Sequence, residues 1–137
     1  MTQEPEVTVI WTAGESTVRW RGGDGGAVVE KHHPKPPQSV MTWTRDGETL
    51  VLVVEALDTK PFTPKDNAVV YRADGTERLR LSPPEGLLSD PNAVFGFYSA
   101  FPDSEGLPLL VIATRSGDFQ SRLDLEAGVV RDARTWR

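Results

Sequence analysis

The sequence predicts an all-β fold: a single domain spanning residues 1–137, built as an antiparallel meander that curls into a barrel or closes as two packed sheets, with little or no helix. Three observations predict it. Apolar residues recur with period two, and no window of 11 or more residues carries them at i, i+3, i+4 and i+7 without a Gly or Pro intervening. Between the alternating runs stand Asp24-Gly25, Asp46-Gly47, Asp74-Gly75, Ser116-Gly117 and Ala127-Gly128, pairs suited to hairpin turns that need a positive φ. Finally, 34 of the 137 residues are Val, Ile, Leu or Phe, enough to build a core without disulfides, which the absence of cysteine excludes.

Eleven strands follow in order, at 5–11, 16–21, 27–33, 39–45, 49–57, 67–73, 76–82, 93–101, 107–114, 118–125 and 129–135. In the second, Val18 and Trp20 share one face and Arg19 and Arg21 the other. The seventh repeats the alternation in Arg78-Leu79-Arg80-Leu81, and the tenth sets Phe119, Ser121, Leu123 and Leu125 against Gln120, Arg122 and Asp124. Two strands break the pattern. Leu50 to Val54 and Leu109 to Ala113 are apolar on both faces, so each is expected in the middle of the structure, covered on both sides. Residues Glu85 to Ser89 are the one place where a single helical turn is expected. Trp11 and Trp20 follow the apolar faces of their strands and are expected in the core.

Composition narrows the function classes. A net charge of −5, with a pI near 5.0, opposes general nucleic-acid binding, which draws its affinity from neutralising phosphates. The longest apolar runs, Leu50 to Val54 and Leu109 to Ala113, fall far short of the ~18 residues of a membrane helix, so no membrane partner is expected. The start Met1-Thr2-Gln3-Glu4-Pro5-Glu6 has neither the basic beginning nor the apolar stretch of a secretion signal, and with zero cysteines the expected location is cytoplasmic.

Catalytic and cofactor motifs are weak throughout. His32 and His33 are adjacent, so on a strand they point to opposite faces and cannot chelate one metal together. Gly22-Gly23-Asp24-Gly25-Gly26 lacks the Gly-Lys-Ser/Thr ending of a phosphate loop and reads as a hairpin connection. No Gly-x-Ser-x-Gly elbow occurs. The carboxylate pairs Asp103/Glu105 and Asp124/Glu126 flank turns, where acidic residues are expected for local reasons. The expectation is therefore no metal, no cofactor and no catalytic residue. Arg19, Arg21, Arg78, Arg80 and Arg122 face outward, forming a guanidinium surface if their strands are neighbours and ordinary cross-strand ion pairs if they are not.

Strand alternation nevertheless points to one end. Counting up and down from residue 39, the connections 34–38, 58–66 and 83–92 all fall opposite the Asp46-Gly47 turn. These are the proline-rich connections, and all four lysines lie in or beside them. Proline lowers the entropy lost when a loop is fixed against a partner, which makes this end the candidate binding surface. Its candidate contact residues are Lys35, Lys60, Phe62 and Lys65, with Phe62 standing between two prolines in a polar loop.

The rhythm of Tyr71 to Leu81 and of Asp118 to Gly128 resembles small bacterial immunity and accessory proteins, although no motif assigns a family. The expected function is a non-catalytic protein-binding module, of the immunity or adaptor kind, that acts by direct contact with a protein partner. Self-association as a homo-oligomer stays open. The alternative is a small β-barrel holding an apolar ligand in a mouth lined by Phe95, Phe97, Tyr98 and Phe101, and behind it a hydrolase without recognisable motif.

Overall fold

All eleven expected strands form, and they sort into three antiparallel sheets in a computed structural model that describes residues 7–22, 27–58 and 65–136. The first sheet, in the order β1-β2-β3, holds Val7–Ile10, Thr17–Gly22 and Val28–His32. The middle sheet, β4-β5-β6-β7, holds Ser39–Arg45, Glu48–Val54, Ala68–Arg72 and Glu77–Leu81. The third, β11-β10-β9-β8, holds Val94–Pro102, Pro108–Thr114, Gly117–Asp124 and Val129–Thr135 numbered from β8. Strand accounts for 58% of the described residues and helix for 2%, and no closed barrel forms among them. The helical turn expected at 85–89 is absent. A single 3-10 turn occurs instead at Pro91–Ala93, where Asp90 accepts from Asn92 N–H at 3.0 Å and proline supplies the first φ.

The sheets stack as three layers with two cores, and β5 explains the order. Its side chains from Leu50 to Val54 are all fully buried. Leu50, Leu52 and Val54 join Val70, Phe97, Leu110 and Ile112 between the middle and third sheets. Val51 and Val53 join Val69, Tyr71, Val18 and Trp20 between the middle and first sheets. The strand therefore reads as continuously apolar because each of its faces meets a different sheet. Trp20 is wholly buried, donates its indole N–H to Ala73 O at 2.9 Å and meets the Tyr71 ring at 5.6 Å. The other doubly apolar strand, β9, differs. Leu110 and Ile112 enter the core, whereas Leu109 and its register partner Phe101 share the opposite face, where Phe101 meets Trp136 at 5.9 Å.

Turn chemistry sets the hairpins. Asp46 and Gly47 both adopt positive φ, at 52° and 77°, the pair of left-handed residues that a two-residue turn between β4 and β5 requires.

One side chain locks the middle sheet to the third. Asn67, just before β6, accepts from Phe97 N–H at 2.8 Å and donates to Phe97 O at 2.7 Å and Glu55 O at 3.1 Å. An amide alone offers an acceptor and two donors in one plane, which is what these three main-chain groups need.

Candidate functional site

The described residues of the connections expected at one end do meet there. Gln38 N–H donates to Val54 O at 2.7 Å, Glu55 N–H to Asn67 O at 2.6 Å, and Arg115 N–H to Ala93 O at 2.8 Å. Lys65 Nζ donates to Pro91 O, joining the residues before β6 to those before β8. Two clefts open at this end. One, of about 270 Å³, is walled by Pro34, Ala56 and Leu57, with Lys35 and Asp58 beside them and His33 and Glu55 behind. The other, of about 180 Å³, runs along Ser82 to Leu88, with Lys65 and Pro91 on its border.

At the back of the larger cleft stands a cluster that follows from strand phase. His32 closes β3 with its ring outward, bonded to Thr17 Oγ1 at 2.9 Å. His33, the next residue, turns inward, as neighbouring strand residues must. Its side chain is only 5% exposed, and Nδ1 lies 3.5 Å from Glu55 Oε2. Glu55 extends the face of Val51 and Val53 past the end of β5. Arg80 pairs in register with Val69, itself the partner of Val53, so it belongs to that face too. Its Nη1 reaches Glu55 Oε1 at 2.6 Å and Asp66 O at 2.8 Å, while Nη2 reaches Oε2 at 3.3 Å.

Electrostatics sharpen the cluster. Burial alone pushes the Glu55 carboxyl upward, but hydrogen bonds from His33 and Arg80, with their charges, outweigh it and bring its pKa down from 4.5 to about 2. Glu55 in turn holds Arg80 further in its charged form, against the smaller opposing effect of burial. Farther in, burial and then the Glu55 charge push the Tyr71 hydroxyl upward. The ring nitrogen that faces the Glu55 carboxylate is Nδ1, which is therefore the donor of that contact. Among the described residues, Nε2 of His33 is the one buried side-chain nitrogen or oxygen with no hydrogen-bond partner.

Sequence-predicted residues distribute unevenly around this geometry. Lys35 lies on the larger cleft and Lys65 on the smaller, whereas Lys60 and Phe62 lie outside the described residues. The outward arginines do not merge into one surface, because they sit on three sheets and meet carboxylates locally: Arg19 with Glu30 at 3.3 Å, Arg78 with Glu48 at 3.9 Å, Arg122 with Asp103 at 3.0 Å. Asp103 also caps its turn by accepting from Glu105 and Leu107 N–H, and Asp124 does so for Ala127 N–H. The aromatic mouth expected of a barrel is not formed: Phe97 is fully buried in the core, Phe101 packs on Trp136, and Tyr98 is exposed. Glu55 and Arg80 escaped sequence reasoning as a pair. The signal was there, since Val51, Val53 and Glu55 share a phase, but it needs the register of β5, β6 and β7 to become a contact.

Among the described residues no three His, Cys, Asp or Glu side chains gather where they could hold a metal ion, and no helix is long and apolar enough to cross a membrane. No known protein family, curated protein or solved structure matches the chain.

Proposed function

We propose that the protein is a non-catalytic binding module, of the immunity or adaptor kind, that contacts a protein partner through the end bearing the two clefts. The observation that carries this reading is the pair of clefts at this end, one lined by Pro34 beside His33, whose buried Nε2 has no partner, and the other by Pro83, Pro84 and Pro91. Stiff loops hold their contact surface ready and lose little entropy on binding. A buried polar atom without a partner costs free energy that a docking group can recover. Lys35 at one cleft and Lys65 at the other give the surface exposed or partly exposed polar flanks around its apolar walls, the arrangement of a rim around an interface core.

Site-specific photo-crosslinking in the native cell tests this. A photoreactive residue at Lys35 or Lys65 is expected to capture one recurrent protein, and the same residue at Asp46, in the turn at the opposite end of the middle sheet, is expected to capture none. Capture only from Asp46, or a small molecule retained stoichiometrically through purification with no crosslink from either end, would overturn it.

A further inference from the structure

We infer that β1 is a dimerisation edge: it pairs antiparallel with β1 of a second copy of this chain, joining the two first sheets into one continuous sheet. The inference is independent of the cleft-bearing end and goes beyond the binding reading given for it. Hydrogen-bond phase comes first. His33 N–H donates to Ser16 O at 2.9 Å, and in the unbroken register of β2 with β3, which pairs Thr17 with His32, those two residues stand opposite each other. Antiparallel bonding alternates along a strand, so Val18 and Trp20 turn their main-chain groups to β3, and Arg19 and Arg21 turn theirs to β1. The partners of Arg19 and Arg21 there are Ile10 and Thr8. The N–H and C=O groups of Val7 and Val9 therefore point away from β2, off the margin of the sheet, where among the described residues no main-chain group meets them.

Chemistry selects this edge from the six that the three sheets of the described residues present. Natural edges are kept from pairing with another chain by charge, proline, bulges or cover. Three edges are charged: β3 carries Glu30 and Lys31, β7 carries Arg78 and Arg80, and β11 carries Arg131 and Asp132. The pairing of β8 is twice broken and the strand ends in Pro102, while β4 ends in Arg45 and its Ser39 is bonded to Ala100 of β8. By contrast, β1 reads Val-Thr-Val-Ile, without charge, proline or a break in register. Ile10 is 49% exposed, and Val7, Val9 and Trp11 are only partly buried where they pack on the core between the first and middle sheets.

Self-pairing supplies what each of these groups lacks. Trp11 continues the phase of Val7 and Val9, so a two-fold axis through Val9 gives the fullest overlap of outward main-chain groups: Val9 faces Val9 of the second copy, Val7 faces Trp11, and Thr8 faces Ile10. The row Val7, Val9 and Trp11 then meets its own copy and carries the apolar layer across the interface, while Thr8 covers the exposed Ile10. No like charges in the strand oppose each other, because it has none.

The whole chain tests this. Sedimentation between about 10 µM and about 1 mM is expected to show monomer passing to dimer and no larger species, as a closed two-fold contact requires. Amide exchange read by NMR is expected to find the Val9 N–H slowed severalfold at the higher concentration and that of Glu30, on the edge of β3, unchanged. Ile10→Lys sets a charge in the pairing at an exposed position and is expected to weaken the dimer about tenfold or more, whereas Val28→Lys, exposed on β3, is expected to leave it intact. Should Ile10→Lys fail to fold, Val9 exchange in the wild-type chain decides alone. Monomer throughout, species beyond the dimer, or a dimer indifferent to Ile10→Lys would overturn the inference. So would equal sensitivity to Val28→Lys, or a Val9 amide protected alike at both concentrations, which would mean that something other than a second copy holds the edge.

Discussion

Replacing Asn67 by alanine should be the most damaging polar truncation in the chain. The residue is 9% exposed, and its amide satisfies three main-chain groups across two sheets: Phe97 N–H, Phe97 O and Glu55 O. An orphaned buried N–H costs the full desolvation of that group, about 1–3 kcal/mol, and carbonyls with a second lone pair lose less. A total of about 2–4 kcal/mol follows, which for a domain of this length lowers the thermal midpoint by roughly 10 °C. Denaturant unfolding monitored by tryptophan fluorescence, with the midpoint and slope fitted together, measures it. Asn67→Asp makes the reasoning more demanding, because it keeps the acceptor for Phe97 N–H but turns a carboxylate oxygen toward two carbonyls. It should therefore be worse than alanine at pH 7 and recover as the pH is lowered enough to protonate it. An alanine variant within about 0.5 kcal/mol of wild type, or an aspartate variant more stable than the alanine one at neutral pH, would refute the account.

Glu55 gives a pH signature: its pKa falls from 4.5 to about 2 on folding, so its stabilisation is fully present above pH 4.5 and drains away as the pH drops toward 2. Its side chain is 26% exposed and screening trims the effect, leaving about 1–2 kcal/mol that Glu55→Gln should remove from a stability profile measured between pH 6 and 2. Leu52→Ala and Val111→Ala each empty a fully buried site and should cost about 3 and about 2 kcal/mol by denaturant midpoint, with unchanged midpoints placing those residues outside the core. Gly96→Ala puts a Cβ 2.8 Å from Asn67 Oδ1 at a φ of +140°, so it should destabilise by about 2 kcal/mol or more and couple non-additively with Asn67→Ala in a double-mutant cycle.

Local chemistry made the strands legible. Each of the eleven was marked by its own alternation or by a turn pair such as Asp46-Gly47 or Asp74-Gly75, and both features act within a few residues. The division into three sheets was not written that way. Continuous burial of Leu50 to Val54 announces cover on both faces without saying whether the cover is a barrel interior or a second and third sheet. Three meanders of neighbours produce the same alternation as one long one, and only the breaks in pairing, between β3 and β4 and between β7 and β8, separate them. The cleft-bearing end was legible because direction alternates between neighbouring strands of the middle sheet, which brings the residues before β4, between β5 and β6 and after β7 to one end. The His33–Glu55–Arg80 cluster was not, because its three residues come from separate strand ends and share only a phase.

That shared phase also accounts for where the cluster sits. A middle sheet covered on both faces can carry charge in the register of its buried faces only where the cover stops. On the face toward the first sheet, Val51 and Val53 lie under Val18 and Trp20, and the next residue in phase, Glu55, emerges at the sheet end. Arg80 reaches the same position from β7, and together they form the charged rim that ends the apolar layer. The chain then has to bring β3 across this rim to begin β4, and the inward residue at the crossing is His33. A leucine there would bury apolar surface against an ion pair, and a lysine would crowd Arg80. An imidazole can lend Nδ1–H to the carboxylate while filling the gap, at the cost of a second nitrogen with nothing to bond. The unpartnered Nε2 is thus a consequence of laminating three sheets. It also leaves an unmet hydrogen-bonding need beside the larger cleft.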